Sequence, residues 1–299
     1  MNTEKLEEIT QTQSERIFHI DFRLRFLGTV TRSDLVGRFG IKEAAATRDI
    51  AFYRDIAPDN LIYDSAARKY FSTEAFQPVF DHSPEQALAA LTTGVGDDSI
   101  SRQKPLLANE TPMLLSIPDI DVLAAITSAI HQERPANICY HSTSSGITKR
   151  TIVPFSLISN GLRWHVRAYD RKHSEFRDFV LTRMDSAKLD AGEVEEHERK
   201  DADHQWNRMV EIQLVPHPNP DNVTHPETIV LDHHMSEGEL RINVRAAVAG
   251  YLLRRWNIDC SEDHSLVGRE YQLWLGNHPT LYGVNSASLA PGYTEAVTQ

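Results

Sequence analysis

The 299-residue sequence predicts an α+β chain in three parts, on three observations. Apolar residues recur at helical spacing between residues 12 and 56, the period shortens to two from residue 137, and the last third mixes strand-like with helix-like runs. An apolar fraction of 40% with 8% aromatics is enough for ordinary cores. At ~100–200 residues per domain, the length corresponds to two or three domains. Two cysteines, Cys139 and Cys260, cannot make a disulfide framework or a Cys-rich zinc site. No apolar run approaches the ~20 residues that cross a bilayer. The N-terminal MNTEKLEEITQTQSER is polar and acidic, unlike a secretory signal. A soluble cytoplasmic protein without a membrane partner is expected.

Each element of the first part has a local cause. In TQSERIFHIDFRLRFL, residues Ile17, Ile20, Leu24 and Leu27 form one apolar helical face, which Phe18, Phe22 and Phe26 widen. Gly28 stops that helix. Thr31 N-caps a second, SDLVGRF, with Asp34 in the capping-box position. After a turn at Gly40-Ile41, a third helix, KEAAATRDIAFYRDI, runs to Pro58. LIYD and KYFS, joined by SAAR, then read as a hairpin.

Helix, short helix, Gly-containing turn, helix and hairpin is the order of a winged helix-turn-helix, in which the third helix is free to enter a DNA major groove. Ala45, Ile50 and Tyr53 are expected in its core. Lys42, Thr47, Arg48 and Arg54 are expected to meet the major groove, and the three alanines 44–46 to allow close approach. Arg32 and Ser33 open the second helix, where they would bond phosphate. Arg68 and Lys69 of the wing would meet flanking backbone or minor groove.

The net charge of −11 argues against nucleic acid only as a sum. Residues 16–72 carry 10 basic and 7 acidic groups, and residues 137–189 carry 9 and 4, whereas residues 190–299 carry 8 and 18. Two basic islands stand in an acidic body. Residues 76–135 read as a helical brace containing PEQALAAL and PDIDVLAAITSAIHQ, with a loop-like stretch, residues 92–112, between them.

NICYHS, RTIVPFSLISN, LRWHVRAYD and FRDFVLTRM are four strand candidates, and Asn160-Gly161 is a hairpin signal. Strands this short and this closely joined predict a small SH3/Sm-like barrel. Alternation sets Trp164, Val166 and Ala168 on one face and Arg163, His165, Arg167 and Tyr169 on the other. Arg177, Phe179, Leu181 and Arg183 share a face of the fourth strand. Two buried arginines need partners, and facing His, Tyr or Ser they would make a cationic pocket for phosphate or another anion.

These runs together resemble the WYL domain, with Trp164-His165-Val166 standing where the family has Trp-Tyr-Leu. The departure at the second position replaces a tyrosine with a titratable donor. The third helix resembles the recognition helices of DeoR-type repressors. It keeps Arg48-Asp49-Ile50 but has Thr47 and Ala45 where that pattern often has Arg and Thr, so its base preference should differ. The whole layout resembles the WYL-domain repressors BrxR and CapW found beside bacterial phage-defence operons. That resemblance implies a ligand pocket at Tyr140, Ser142, His165, Arg177 and Arg183, with Arg150 and Arg167 adjacent.

In the last third, VEIQLVPHPN, ELRINVRAAVAGYLLRRWNID and YQLWLGN read as strand, strand-into-helix and strand, with Ala247, Tyr251, Leu252 and Trp256 at helical spacing. This resembles the α/β extension, ferredoxin-like in character, that accompanies many WYL domains, and implies dimerisation. His217, His225, His233 and His234 lie in a proline-rich stretch without metal-ligand spacing, so no metal is expected there or elsewhere. No Ser-His-Asp order, P-loop or GxSxG motif appears, so no catalytic residues are assigned and no enzyme is expected.

The domains are expected at 1–75 (winged helix), 76–135 (brace), 136–200 (WYL) and 201–299 (extension). The expected function is a homodimeric, ligand-responsive repressor of a phage-defence operon on an inverted-repeat, double-stranded DNA operator. It would have no cofactor beyond a regulatory anion, a nucleotide or nucleic-acid fragment. Two alternatives use the basic barrel instead: a nucleic-acid-processing enzyme and an RNA-binding Sm-like module.

Overall fold

The computed structural model describes residues 6, 9–93 and 115–294; most of the expected 92–112 loop lies outside them. The chain divides into two compact units, Met1–Val194 and Glu195–Gln299.

In the first unit, Thr10 caps α1 (Gln11–Phe26) by accepting the Gln13 N–H. Gly28, at φ +71°, ends the turn that leads into β1 (Thr29–Val30). α2 (Arg32–Phe39) opens on the full Thr31–Asp34 capping box and closes on Gly40 at φ +62°. α3 (Glu43–Ile56) follows, then β2 (Leu61–Asp64) and β3 (Lys69–Ser72). β1 joins the hairpin as its third strand, in the order β1-β3-β2. Asp64 nucleates the wing turn by accepting the Ala66 and Ala67 N–H groups.

α1 buries two faces rather than one. Ile17, Ile20 and Leu24 pack with Leu35, Ile50, Tyr53 and Ile56 in the winged-helix core. Phe18, Phe22 and Phe26 do not widen that face; they belong to a second core with α4 (Pro84–Thr93), α5 (Ile120–Gln132) and the central sheet. The spacing of four between the phenylalanines generates its own stripe, one residue offset from the first.

The central sheet is antiparallel throughout, in the order β7-β6-β5-β4-β8. Its strands are β4 (Ala136–Ser142), β5 (Gly146–Ser159), β6 (Trp164–Asp170), β7 (Glu175–Val180) and β8 (Met184–Leu189). The expected closed barrel is corrected: β7 and β8 share no ladder, so the sheet is open. The fourth expected strand is also cut. FRDFV is β7, Leu181–Arg183 form a 3-10 turn, and Met184 starts β8, which returns to pair with β4. Val166, Ala168, Ile152, Ile138 and Phe179 fill the inner face beside Leu123 and Ile126 of α5.

In the second unit, α6 (His204–Asn207) leads into β9 (Met209–Pro216), which pairs with β10 (Leu240–Arg245) and β11 (Leu273–Leu275) in an antiparallel sheet of three strands, fewer than a ferredoxin-like sheet has. α7 (Pro226–Asp232) and α8 (Ala246–Arg255) pack on it. The buried residues of α8 are Ala246, Ala249, Gly250, Leu253 and the expected Ala247, while Trp256, at the C-cap, is exposed. A Cβ on Gly250 would meet the Ser286 carbonyl at 1.7 Å, so this crossing requires glycine. His217 is a core residue whose Nε2 lies 3.0 Å from buried Asp259, while His225, His233 and His234 are exposed. No helix of the described residues is long and apolar enough to cross a membrane.

Candidate nucleic-acid interface and anion site

α3 is anchored along one side and open along the other. Ala46, Asp49, Ile50, Tyr53 and Ile56 face inward. Ala46 takes the core position expected for Ala45, which is only half-buried. Asp49 receives the Arg16 guanidinium at 2.6 Å and 3.3 Å and the Gln13 amide at 3.3 Å, fixing the middle of α3 to the start of α1. Farther along, the Tyr53 hydroxyl donates to Asp21 at 2.5 Å. Asp21 is fully buried and also accepts the Val79 and Phe80 N–H groups, with the His82 ring nitrogen 2.8 Å away. Asn60 ties Tyr53 to the Gln77 backbone. Burial, reinforced by the Asp21 charge, drives the Tyr53 phenol far above its ordinary pKa, so it remains a donor.

Sequence reasoning missed this polar clamp. Its signal was there: Asp21 and Asp49 are carboxylates seated among the apolar positions of their own helices, where only a paired charge is tolerated.

The outward stripe of α3 is Ala44, Thr47, Arg48 and Ala51, with Arg54 at its edge. Thr47 donates its hydroxyl to the Glu43 carbonyl, leaving its methyl outward. Lys42 precedes the helix, Arg32 and Ser33 stand on the first turn of α2, and Arg68, at φ +54°, and Lys69 stand on the wing; all are exposed. Among the described residues, Arg32, Lys42, Arg48, Arg54, Arg68 and Lys69 form no ion pair, in contrast to the paired Arg16, Arg23 and Arg25. Exposed cations without ion-pair partners on a small domain are what phosphate contact requires.

The seven residues expected in one pocket do not meet in one place. Cross-strand pairing puts Tyr140 and Arg150 on the inner face of the sheet and His165 and Arg167 on the outer one. Buried Arg150 donates to Asp170 at 2.6 Å and lies over the Tyr140 and Phe179 rings. Burial alone would raise the Asp170 pKa; bonds from His173, the Lys172 N–H and Arg150 outweigh it and hold the carboxylate below its ordinary value. Arg167 pairs with Asp178 at 3.1 Å. Ser142 closes the β4–β5 turn by accepting the Ser144 and Ser145 N–H groups. Arg177 is paired with Glu175 at the surface. The 3-10 turn separates Arg183 from the Arg177 face and brings its charge to bear on His165.

His165 lies within electrostatic reach of one carboxylate, Asp178, and two guanidiniums, Arg163 and Arg183. Its pKa is lowered, chiefly by burial and further by Arg163 and Arg183, against the opposing influence of Asp178. The unfolded chain takes up this proton near the ordinary value of 6.5, so the stability lost on acidification is complete above that pH and falls below it. Thermal melts between pH 7.5 and 5.5 should show a smaller loss of midpoint for His165→Gln than for wild type; equal slopes would remove His165 as the cause. Arg150→Ala, which removes the guanidinium partner of buried Asp170, should cost up to about 3–5 kcal/mol in urea unfolding. Arg177→Ala, at the surface, should stay within about 0.5 kcal/mol.

An exposed helix-and-wing face followed by a five-stranded antiparallel sheet is the layout of a winged-helix regulator of the WYL class. Residues 12–92 match the family model of the BrxR transcriptional regulator winged helix-turn-helix domain, residues 121–189 that of the WYL domain, and residues 209–281 that of the BrxR C-terminal dimerization domain. The chain belongs to the BrxR/CapW family. It is 35% identical over 280 residues to the DNA-binding transcriptional repressor CapW of Escherichia coli strain KTE188, covering 91% of both chains. Its identity to CapW of Pseudomonas aeruginosa is 35%, covering 83% of both chains, and to CapW of Stenotrophomonas maltophilia 30%, covering 83% of this chain and 84% of that one.

Proposed function

We propose that the protein is a homodimeric transcriptional repressor that binds an inverted-repeat operator through two winged helices. The observation that carries this reading is the α3 stripe: a slim surface of Ala44, Thr47, Arg48 and Ala51 on a helix held rigid by Asp49 and Tyr53. Rigid placement of a few side chains against base edges is what direct readout needs. The C-terminal match to a dimerization domain supports a two-fold complex, which pairs with operator palindromy. The repressor names of the relatives support the direction of control, and the operon is proposed to be one for phage defence.

The regulatory ligand is an anion, a nucleotide or short nucleic acid, received on the outer face of the central sheet near His165 and Arg183. Arg183, which forms no ion pair among the described residues, supports this choice over the Arg150 side, where the guanidinium is already committed to Asp170. Occupation would shift the dimer between arrangements of different half-site spacing, and the coupling would be reciprocal.

Footprinting of the full-length chain on its own promoter tests the first part. Two protected half-sites about one helical turn apart are expected. Protection of a single site, or binding that survives removal of residues 1–75, would favour the RNA-binding reading of the central sheet. For the ligand, calorimetry with nucleotides and short oligonucleotides should give heat with wild type and none with Arg183→Ala; equal heats would refute the site.

A further inference from the structure

The outer face of β4 and β8 carries a cluster that neither the repressor reading nor any family match assigns. Cys139 and His141 are two residues apart on β4 and so share a face. β8 crosses beside them, but its register shifts: Cys139 pairs with Ser186 and Tyr140 with Met184, which leaves Asp185 as the extra residue of a bulge. Such bulges re-aim a side chain, and this one turns Asp185 toward the pair. The sulfur, an imidazole nitrogen and a carboxylate oxygen all lie within 4.8 Å of one another. Among the described residues, none of the three side chains makes a hydrogen bond or an ion pair, unlike Asp170, Asp178 and Arg150 of the same sheet.

We propose that Cys139, His141 and Asp185 bind a divalent zinc ion. Ligands at ~2.0–2.3 Å in tetrahedral geometry stand about 3.4–3.8 Å apart, so the three groups need to draw in by roughly 1 Å, within the reach of side-chain rotation at exposed or half-exposed positions. One thiolate, one imidazole and one carboxylate is a borderline-soft donor set, suited to zinc and unsuited to magnesium or calcium, which take oxygen. Binding releases the thiol proton of Cys139 and needs no redox partner. Of the three ligands, Cys139 also lines a recess of about 330 Å³, together with Lys149, Ser186 and Lys188. The fourth position would hold water or an anion.

The test uses the full-length, untagged chain stripped with EDTA and titrated with cobalt(II), then competed with zinc. One cobalt per chain is expected, with a thiolate-to-cobalt charge-transfer band in the near ultraviolet that zinc removes. Cys139→Ser should lose the band and bind zinc more than about 100-fold more weakly; His141→Ala and Asp185→Asn should each lose more than about tenfold, the scale of even outer-shell changes. Cys260→Ala should keep the band, since that thiol is buried elsewhere. Unchanged thermal midpoints of the stripped variants establish that they fold. No band in wild type, or a band that persists in Cys139→Ser, would overturn the site.

Discussion

Arg48→Ala is expected to abolish specific operator binding while leaving the protein folded. Arg48 is exposed on the open stripe of α3, and its neighbour Asp49 does the anchoring, so the substitution removes a contact without loosening the helix. A bidentate arginine–guanine pair is worth about 1–3 kcal/mol. A two-fold complex loses it twice, about 2–6 kcal/mol, which is roughly 30-fold to more than 10⁴-fold in affinity. Fluorescence anisotropy on a promoter fragment measures this directly. Lys69→Ala should behave differently: weaker binding on every sequence and a salt slope shallower by about one. If Arg48→Ala binds the operator as tightly as wild type, α3 is not the reading helix.

The second large effect is on the fold. Asp21→Ala leaves the Tyr53 hydroxyl, two backbone N–H groups and the His82 ring facing a buried void that has lost its acceptor. Removing one partner from a buried charged network costs about 3–5 kcal/mol, against about 5–15 kcal/mol for the whole stability of a domain. Asp21→Asn, which keeps one acceptor oxygen, should lose less. The double change Asp21→Ala/Tyr53→Phe should cost less than the sum of its parts, because the stranded hydroxyl leaves with its acceptor. A urea midpoint for Asp21→Ala indistinguishable from wild type would mean that the clamp does not hold α3.

What the sequence made legible was the local and the periodic. The Thr31–Asp34 box, the Gly40 cap, the wing hairpin and the strand-into-helix joint at Arg245-Ala246 all follow from spacings of a few residues, and the structure has each of them. The exposure of Arg48 could be read because helical period separates it from Ile50 and Tyr53. Failures came where the deciding partner is distant in sequence. Asp21 acquires its partners only when residues 79–82 fold onto it, and Arg150 acquires Asp170 only across two paired strands. Alternation placed His165 and Arg167 on one face correctly, but carried no information on which strand would bring Arg183 near them. The bulge that turns Asp185 is likewise invisible in composition, since it exists only in the register of two paired strands.

The double burial of α1 bears on how a signal would travel. This 16-residue helix is about 24 Å long, and its aliphatic stripe belongs to the DNA-facing domain while its phenylalanine stripe belongs to the sheet. It is a common wall, and neither neighbour can slide without carrying it along. A ligand acting on the sheet is then transmitted as a tilt of the entire reading head, with Arg48 and Lys69 moving as one body. Slow amide exchange should run unbroken along α1 in both the free and the DNA-bound protein. For the proposed ligand, the distance between paired reading heads, and not the order of any loop, would be the quantity that binding sets.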